Sequence, residues 1–216
     1  MQLFAQGRQE IAFKIVPTFN ARPVDFEHTY YHLTQSDSVM LDVFKCYISN
    51  LVFYSAGRAV YTEPNSFHLL EAGGANNMQF SIAAGSRFSY DEVGFDLGID
   101  STTNVSGTLG GDLDPTKGMY WSWQSGYINL KLEGKSNLCK TRNHEFQFHL
   151  GGYSNETKAI APVRVKVTAG PIVLGIALDK FLSNVDLATN NSIMIPGAAA
   201  ASLAHKIAQL IEPYKE

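Results

Sequence analysis

The side chains through which this 216-residue chain could do chemistry are six histidines, two cysteines, five methionines and the acidic pair Asp112 and Asp114. Imidazole and thioether donors suit copper, whereas paired carboxylates in a glycine-bearing turn suit a hard cation such as Ca²⁺. His68 lies in Phe67-His68-Leu69-Leu70 and His149 in Phe148-His149-Leu150-Gly151, two short apolar runs of strand character. A strand can hold an imidazole rigidly, but the ordinary role of a lone strand histidine is structural. His28 and His32 are spaced i, i+4, which on one strand would put them on one face but about 13 Å apart, too far to share a metal. His144 beside a charged turn and His205 on a helix surface are expected to be solvated. Asp112 and Asp114, in Gly-Gly-Asp-Leu-Asp, serve either as turn caps or as oxygen donors to a hard cation.

The chain contains no Gly-x-Ser-x-Gly elbow, His-Glu-x-x-His helix, Cys-x-x-Cys pair or phosphate-cradling glycine loop, so it reads as a protein without enzymatic activity. Gly94-Phe95-Asp96-Leu97-Gly98 has glycines, but it lies within a strand pattern rather than at a helix N-terminus.

The elements that must position these residues are mostly strands. Apolar residues alternate from Glu10 to Phe19, from Tyr90 to Ile99, from Tyr127 to Leu132 and from Glu145 to Leu150, the last placing Gln147 and His149 opposite Phe146, Phe148 and Leu150. Thr29 to Leu33 and Ser38 to Tyr54, the latter broken at Ser49-Asn50, add further strands, and Ala56-Gly57-Arg58 supplies a hairpin turn. Shorter strands follow at Val60 to Thr62, Ser66 to Leu70 and Met78 to Ile82. Val163 to Thr168 and Ile172 to Leu178 read as a hairpin, its second arm prolonged through Phe181 to Leu187. After Pro196-Gly197, Leu203, Ile207, Leu210 and Ile211 recur at helical spacing on an alanine-rich background, predicting a helix that stops at Pro213. Together these elements predict an all-β, antiparallel β-sandwich with a C-terminal α-helix.

The densest stretch is Gly107 to Tyr127, in which glycines and Pro115 precede Tyr120, Trp121 and Trp123. It is expected to be an ordered loop whose two tryptophans share one face and pack, with a functional loop as the other reading. Charged residues make up only 17 % and apolar ones 45 %, which fits a folded domain rather than a disordered chain. A formal net charge of −3 without any basic run argues against nucleic-acid or anionic-membrane partners, and no apolar span is long enough to cross a membrane as a helix. Residues 7–216 are read as a single domain, and 1–6 as the remnant of a secretory signal or a frayed terminus. Cys46 and Cys139 are read as unpaired thiols, a bridge requiring Cα atoms within about 7 Å.

Four blocks, FKCYISNLVFY (44–54), VGFDLGIDSTTN (93–104), GDLDPTKGMYWSWQSGYINLKLEG (111–134) and EFQFHLGGY (145–153), stand in the order and roughly the spacing of the MbnP family, which the chain resembles over most of its length. These are bacterial periplasmic copper-binding proteins associated with methanobactin operons, together with related copper proteins of methane-oxidising bacteria. The resemblance implies an exported, non-enzymatic copper-binding or copper-handling protein, periplasmic or at the cell surface, with His149 in the family's histidine-ligand block and His68 as its partner. In the family's copper-loaded members a Trp-x-His segment precedes the Leu-Leu pair, and its tryptophan is oxidised to kynurenine. Here positions 60–68 read Val-Tyr-Thr-Glu-Pro-Asn-Ser-Phe-His, without tryptophan. A copper site in this chain would therefore be degenerate, completed by Met119, Met78, a carboxylate or water. Trp121 and Trp123 belong to the shared Trp-x-Trp block and are expected to be packing residues. The alternative is a metal-free binding module on the same fold.

Overall fold

The computed structural model describes residues 8–73, 77–123 and 126–215, so the 1–6 segment lies outside the described residues. In chain order the strands are β1 (Gln9–Phe19), β2 (Arg22–Pro23), β3 (Tyr30–Tyr31), β4 (Val39–Ser55), β5 (Arg58–Thr62), β6 (Phe67–Glu71), β7 (Gln79–Ala84), β8 (Glu92–Leu97), β9 (Tyr120–Trp121), β10 (Gly126–Ser136), β11 (Glu145–Gly151), β12 (Ala161–Lys166), β13 (Ile172–Ala177), β14 (Ser192–Ile193) and β15 (Ile211–Pro213). The helices are α1 (Ser101–Val105), α2 (Leu178–Ser183) and α3 (Ala198–Ala208).

The smaller sheet runs β15-β13-β1-β2, with β7 on the same edge of β1 as β2. The larger runs β12-β8-β4-β10-β11-β14, with β3, β5 and β6 along β4 and β9 beside β10. Period-two burial decides which side of each strand meets the other sheet. In β12, Ala161, Val163 and Val165 are buried while Pro162, Arg164 and Lys166 face solvent. Phe13 of β1 stacks on Phe80 of β7 at 4.9 Å and meets Phe95 of β8 edge-on at 5.5 Å, which ties the two sheets face to face. Helix α3 adds Ala200, Leu203, Ala204 and Ile207 to this core.

The expected β-rich sandwich with a C-terminal helix is the observed fold, and several local features differ from the pattern reading. The sheets are mixed, because β1 pairs parallel with β13 and β11 parallel with β14. The 38–54 segment does not break at Ser49-Asn50. It is the continuous strand β4, with Asn50 accommodated at φ 53° where the register against β8 shifts. Strands β12 and β13 lie in different sheets rather than forming a hairpin, and the 181–187 segment is not a strand extension, since α2 begins at Leu178. Residues 29–33 contribute only the two-residue β3, and the C-terminal helix ends at Ala208 so that Ile211 can enter β15. The hairpin at residues 56–58 is as read: Ala56 and Gly57 take φ 48° and 77°, the two positive values of the tight turn that suits strand twist.

Gly134 sits at the register shift between β10 and β4, where a Cβ would run into the Met40 carbonyl and come within 2.6 Å of Phe146 Cζ. Gly134→Ala is therefore expected to destabilise the protein by about 1–3 kcal/mol, the usual cost of overpacking, in chemical denaturation. A midpoint unchanged from wild type would show that the bulge has slack.

Candidate functional site

Strand register fixes where the two candidate imidazoles point. Across the large sheet, Leu70, Cys46, Leu130 and Leu150 form one row, and Glu71, Lys45, Lys131 and His149 the next. Neighbouring rows face opposite ways. The first row is buried between the sheets, and the second faces outward, where Lys45 Nζ meets Glu71 at 2.6 Å. His68 precedes Leu70 by two residues and so shares its inward face, as its ring confirms by stacking on Phe80 of the small sheet at 3.6 Å between centroids. His149 faces out. Strands β6 and β11 are three ladder steps apart, roughly 14 Å. His68 and His149 are not brought together, and no mononuclear centre spans them.

Each imidazole instead has its own carboxylate. His149 Nε2 donates to Glu133 Oε1 at 2.6 Å on the adjacent strand β10. His68 Nε2 donates to Glu63 Oε2 at 2.8 Å, and the same oxygen accepts from Ser66 Oγ at 2.7 Å, while Ser66 Oγ accepts from Leu51 N–H. Since a carboxylate only accepts, the proton of each neutral ring sits on Nε2 and the lone pair on Nδ1. Burial holds His149 below the usual imidazole range near 6.5, with the Glu133 hydrogen bond opposing it and the neighbouring Lys131 charge reinforcing it.

The outward face around His149 is covered by the Gly107–Trp121 loop, which forms a second apolar cluster of Tyr47, Leu69, Ile99, Leu113, Met119, Trp121, Tyr127 and Ile128. The loop is strapped down by polar contacts. Tyr47 Oη donates to the Asp112 carbonyl at 3.0 Å, Tyr127 Oη to that of Leu113 at 3.0 Å, and Lys131 Nζ to that of Gly118 at 2.8 Å. Asp112 Oδ2 accepts from Leu69 N–H at 3.1 Å and its Oδ1 from Lys117 Nζ at 2.6 Å, while Asp114 caps Thr116. Both aspartates are thus turn and edge caps. Among the described residues no group of three or more His, Cys, Asp or Glu side chains converges as a metal cage, so Asp112 and Asp114 have no further carboxylates with which to hold Ca²⁺.

The remaining donors are dispersed. Met78 is buried in the inter-sheet core and Met119 in the outward cluster. Cys46 and Cys139 are buried free thiols, and desolvation pushes Cys46 up to about 12. His28 and His32 do not share a strand: His28 donates to the Phe26 carbonyl and His32 to that of Asp37 in the turns around β3. His144 donates to the Cys139 carbonyl and His205 to that of Ala201. The tryptophans also divide. Trp121 is buried against the bare backbone of Gly151, two residues beyond His149 on the same face, whereas Trp123 is 61 % exposed with its ring 6.0 Å from that of Trp121. The packing role read for Trp123 is corrected, because β9 ends at Trp121 and the turn carries Trp123 off the sheet. Pattern reading also missed Glu133 and Glu63. Lys131-Leu132-Glu133 alternates outward, and that period was the available signal for Glu133.

Trp121→Ala should lower stability by about 3–5 kcal/mol and Trp123→Ala by less than about 1 kcal/mol, measured by urea denaturation; equal losses would mean that Trp123 folds back onto the sheet. A second expectation concerns acid. Because the folded pKa of His149 is depressed, its contribution is complete above the unfolded value near 6.5 and is lost as pH falls through the lower folded value. Below pH about 6.5, His149→Gln should therefore lose stability less steeply than wild type, and parallel curves would show that this ring does not titrate with unfolding.

The family model described as MbnP matches residues 8–195. Among solved structures the chain is similar to MbnP from Methylosinus trichosporium, with a TM-score of 0.64 and 13 % identity over 89 % of this chain and 83 % of that one. At that identity the likeness concerns the fold. No curated protein matches the chain.

Proposed function

The chain belongs to the MbnP family, and on that premise we propose that it is an exported, non-enzymatic binding module, periplasmic or at the cell surface, that works without an enclosed two-histidine copper centre. The observation that supports this reading is the register of β4, β6, β10 and β11, which sends His68 inward and His149 outward. A tight copper site needs three or four donors on one centre. The donors available here do not fit that demand, since each imidazole has one carboxylate neighbour and the thioethers of Met78 and Met119 lie in separate clusters. The family's association with copper keeps a copper-handling role as the second reading, and one observation favours it. His149 is a neutral, carboxylate-oriented ring with its lone pair on Nδ1, the arrangement in which outer partners prepare an imidazole for a metal. The export half of the proposal rests on the resemblance to exported proteins, and no helix among the described residues is long and apolar enough to cross a membrane.

Copper titration of wild type, His68→Ala and His149→Ala, under reducing and oxidising conditions, separates the readings. Equal, weak binding by all three is expected. A loss confined to His149→Ala would establish the copper-handling reading at that ring, and binding there should weaken as protons compete below pH about 6.5. Tight binding lost by orders of magnitude in both variants would overturn the proposal, because it would require the two rings to meet.

A further inference from the structure

The small sheet ends on one side in β7, and half of that strand's backbone groups have no partner. Ile15 N–H donates to the Met78 carbonyl at 2.9 Å, which marks these two residues as a hydrogen-bonded pair of the antiparallel β1/β7 ladder. Such pairs recur at every second residue, so Phe80, Ile82 and Ala84 turn their N–H and C=O groups toward β1, whereas Gln79, Ser81 and Ala83 turn theirs away from it. Among the described residues β7 pairs with β1 alone, and no other hydrogen bond reaches those three residues. Their side chains are exposed on the outer face, while Ile82 and Ala84 are buried. Other strand borders in the molecule are guarded. Strand β12 carries Pro162, Arg164 and Lys166, β15 contains Pro213, and β5 has Arg58 and a register shift against β4. The Leu69 N–H of β6 is taken by Asp112, and β2 and β14 are two residues long. Strand β7 has six residues without charge, proline or register shift.

We propose that two copies of this chain pair through β7, antiparallel about a two-fold axis that passes through Ser81 perpendicular to the sheet. This register sets Ser81 opposite Ser81 of the second copy, and Gln79 opposite Ala83 in both directions. Each outward N–H then meets an outward C=O, and the two small sheets become one. A centre at Phe80 or Ile82 fails, because the groups of those residues are already bonded to β1. Paired residues of an antiparallel ladder share a face, so the exposed Ser81 and Ala83 meet on the outer side, where both are small, and Phe80 falls beside Ile82 on the inner side. Charge agrees with this pairing. The outward row through the interface runs Glu10 and Ala83, then Gln79 and Lys14 of the second copy, so its ends carry opposite signs, and the central row of Ala12 and Ser81 from each copy carries none. Both copies use the same edge, so association closes at two rather than growing into a fibre. The inference is independent of whether either imidazole meets copper.

The test is sedimentation velocity of the full chain from about 1 to 100 µM, since a strand-to-strand contact belongs to the small, weak class of interfaces below about 1,200 Å². Wild type is expected to pass from monomer to dimer mass within this range. Ser81→Lys sets two cations opposite each other, and Ser81→Pro deletes an outward N–H without touching the β1 ladder; both should stay monomeric. An equimolar mixture of Ser81→Lys and Ser81→Glu should restore the dimer, because opposite charges help only where the residue faces its own counterpart. Amide exchange at Gln79, Ser81 and Ala83 should slow as wild-type concentration rises, with no such change in Ser81→Lys. A wild type that remains monomeric, a dimer that persists in Ser81→Lys, a mixture that stays monomeric, or species larger than a dimer would each overturn the assignment. If circular dichroism shows Ser81→Pro unfolded, Ser81→Lys and the mixture decide, as that exposed side chain lies outside the core.

Discussion

The two-residue period of β4 is the constraint from which the large sheet takes its organisation. This one strand is paired along its length with β3, β5, β6, β8 and β10, so its side-chain alternation is imposed on all of them. A slip of one residue would carry Phe44, Cys46 and Ile48 to the outward face and Lys45 and Tyr47 into the core. Burial of the apolar row against Phe13, Phe80 and the rest of the small sheet makes that slip prohibitive. The separation of His68 from His149 is thus a consequence of packing a sandwich, and no local adjustment of either side chain reverses it.

The outward face shows how an exposed sheet surface becomes a second interior. Tyr47 and Leu69 would be solvent-facing apolar residues if the sheet stood alone. The Gly107–Trp121 loop covers them, and because a covering loop brings backbone polar groups with it, the sheet must satisfy them. Tyr47, Tyr127 and Lys131 do so from below, each donating to a loop carbonyl. Asp112 works in the other direction, accepting the Leu69 N–H on the edge of β6 away from β4, which blunts that edge toward other strands. Buried His149 and its half-buried partner Glu133 sit at the margin of this cover, which explains how an ionisable ring on an outer face comes to be only 7 % exposed.

Much of this was legible in the residues. Alternation located β1, β8, β10 and β11 because one face of each is buried, and Ala56-Gly57 announced its turn through the positive φ that a tight hairpin needs. What the pattern hid was non-local. Simple alternation puts Ile128 on the face of Leu130 and Leu132, but the register shift between residues 128 and 130 sends it to the outward cluster. Short strands such as β14 and β15 exist only because a neighbour offers a ladder, and α2 is a single short helix whose Leu178, Phe181 and Leu182 serve a strand as well as a helix. The site was half legible. His149 and His68 were found from their apolar context, yet whether two strand residues converge depends on face and ladder distance, which pairing alone supplies.

The parallel partnership of β1 and β13 also has a kinetic meaning. Thr18 donates to the Ile176 carbonyl across 158 positions of sequence, so the N-terminal strand cannot complete its sheet until residues 172–177 have joined it. Strand β7 engages the first half of β1 from much nearer in the chain, whereas Val16 and Pro17 pair with Gly175 and Ile176 of β13. High contact order of this kind slows folding, because loop-closure entropy must be met before the pairing rewards it. The far half of β1 therefore completes its ladder only through a contact that spans most of the chain.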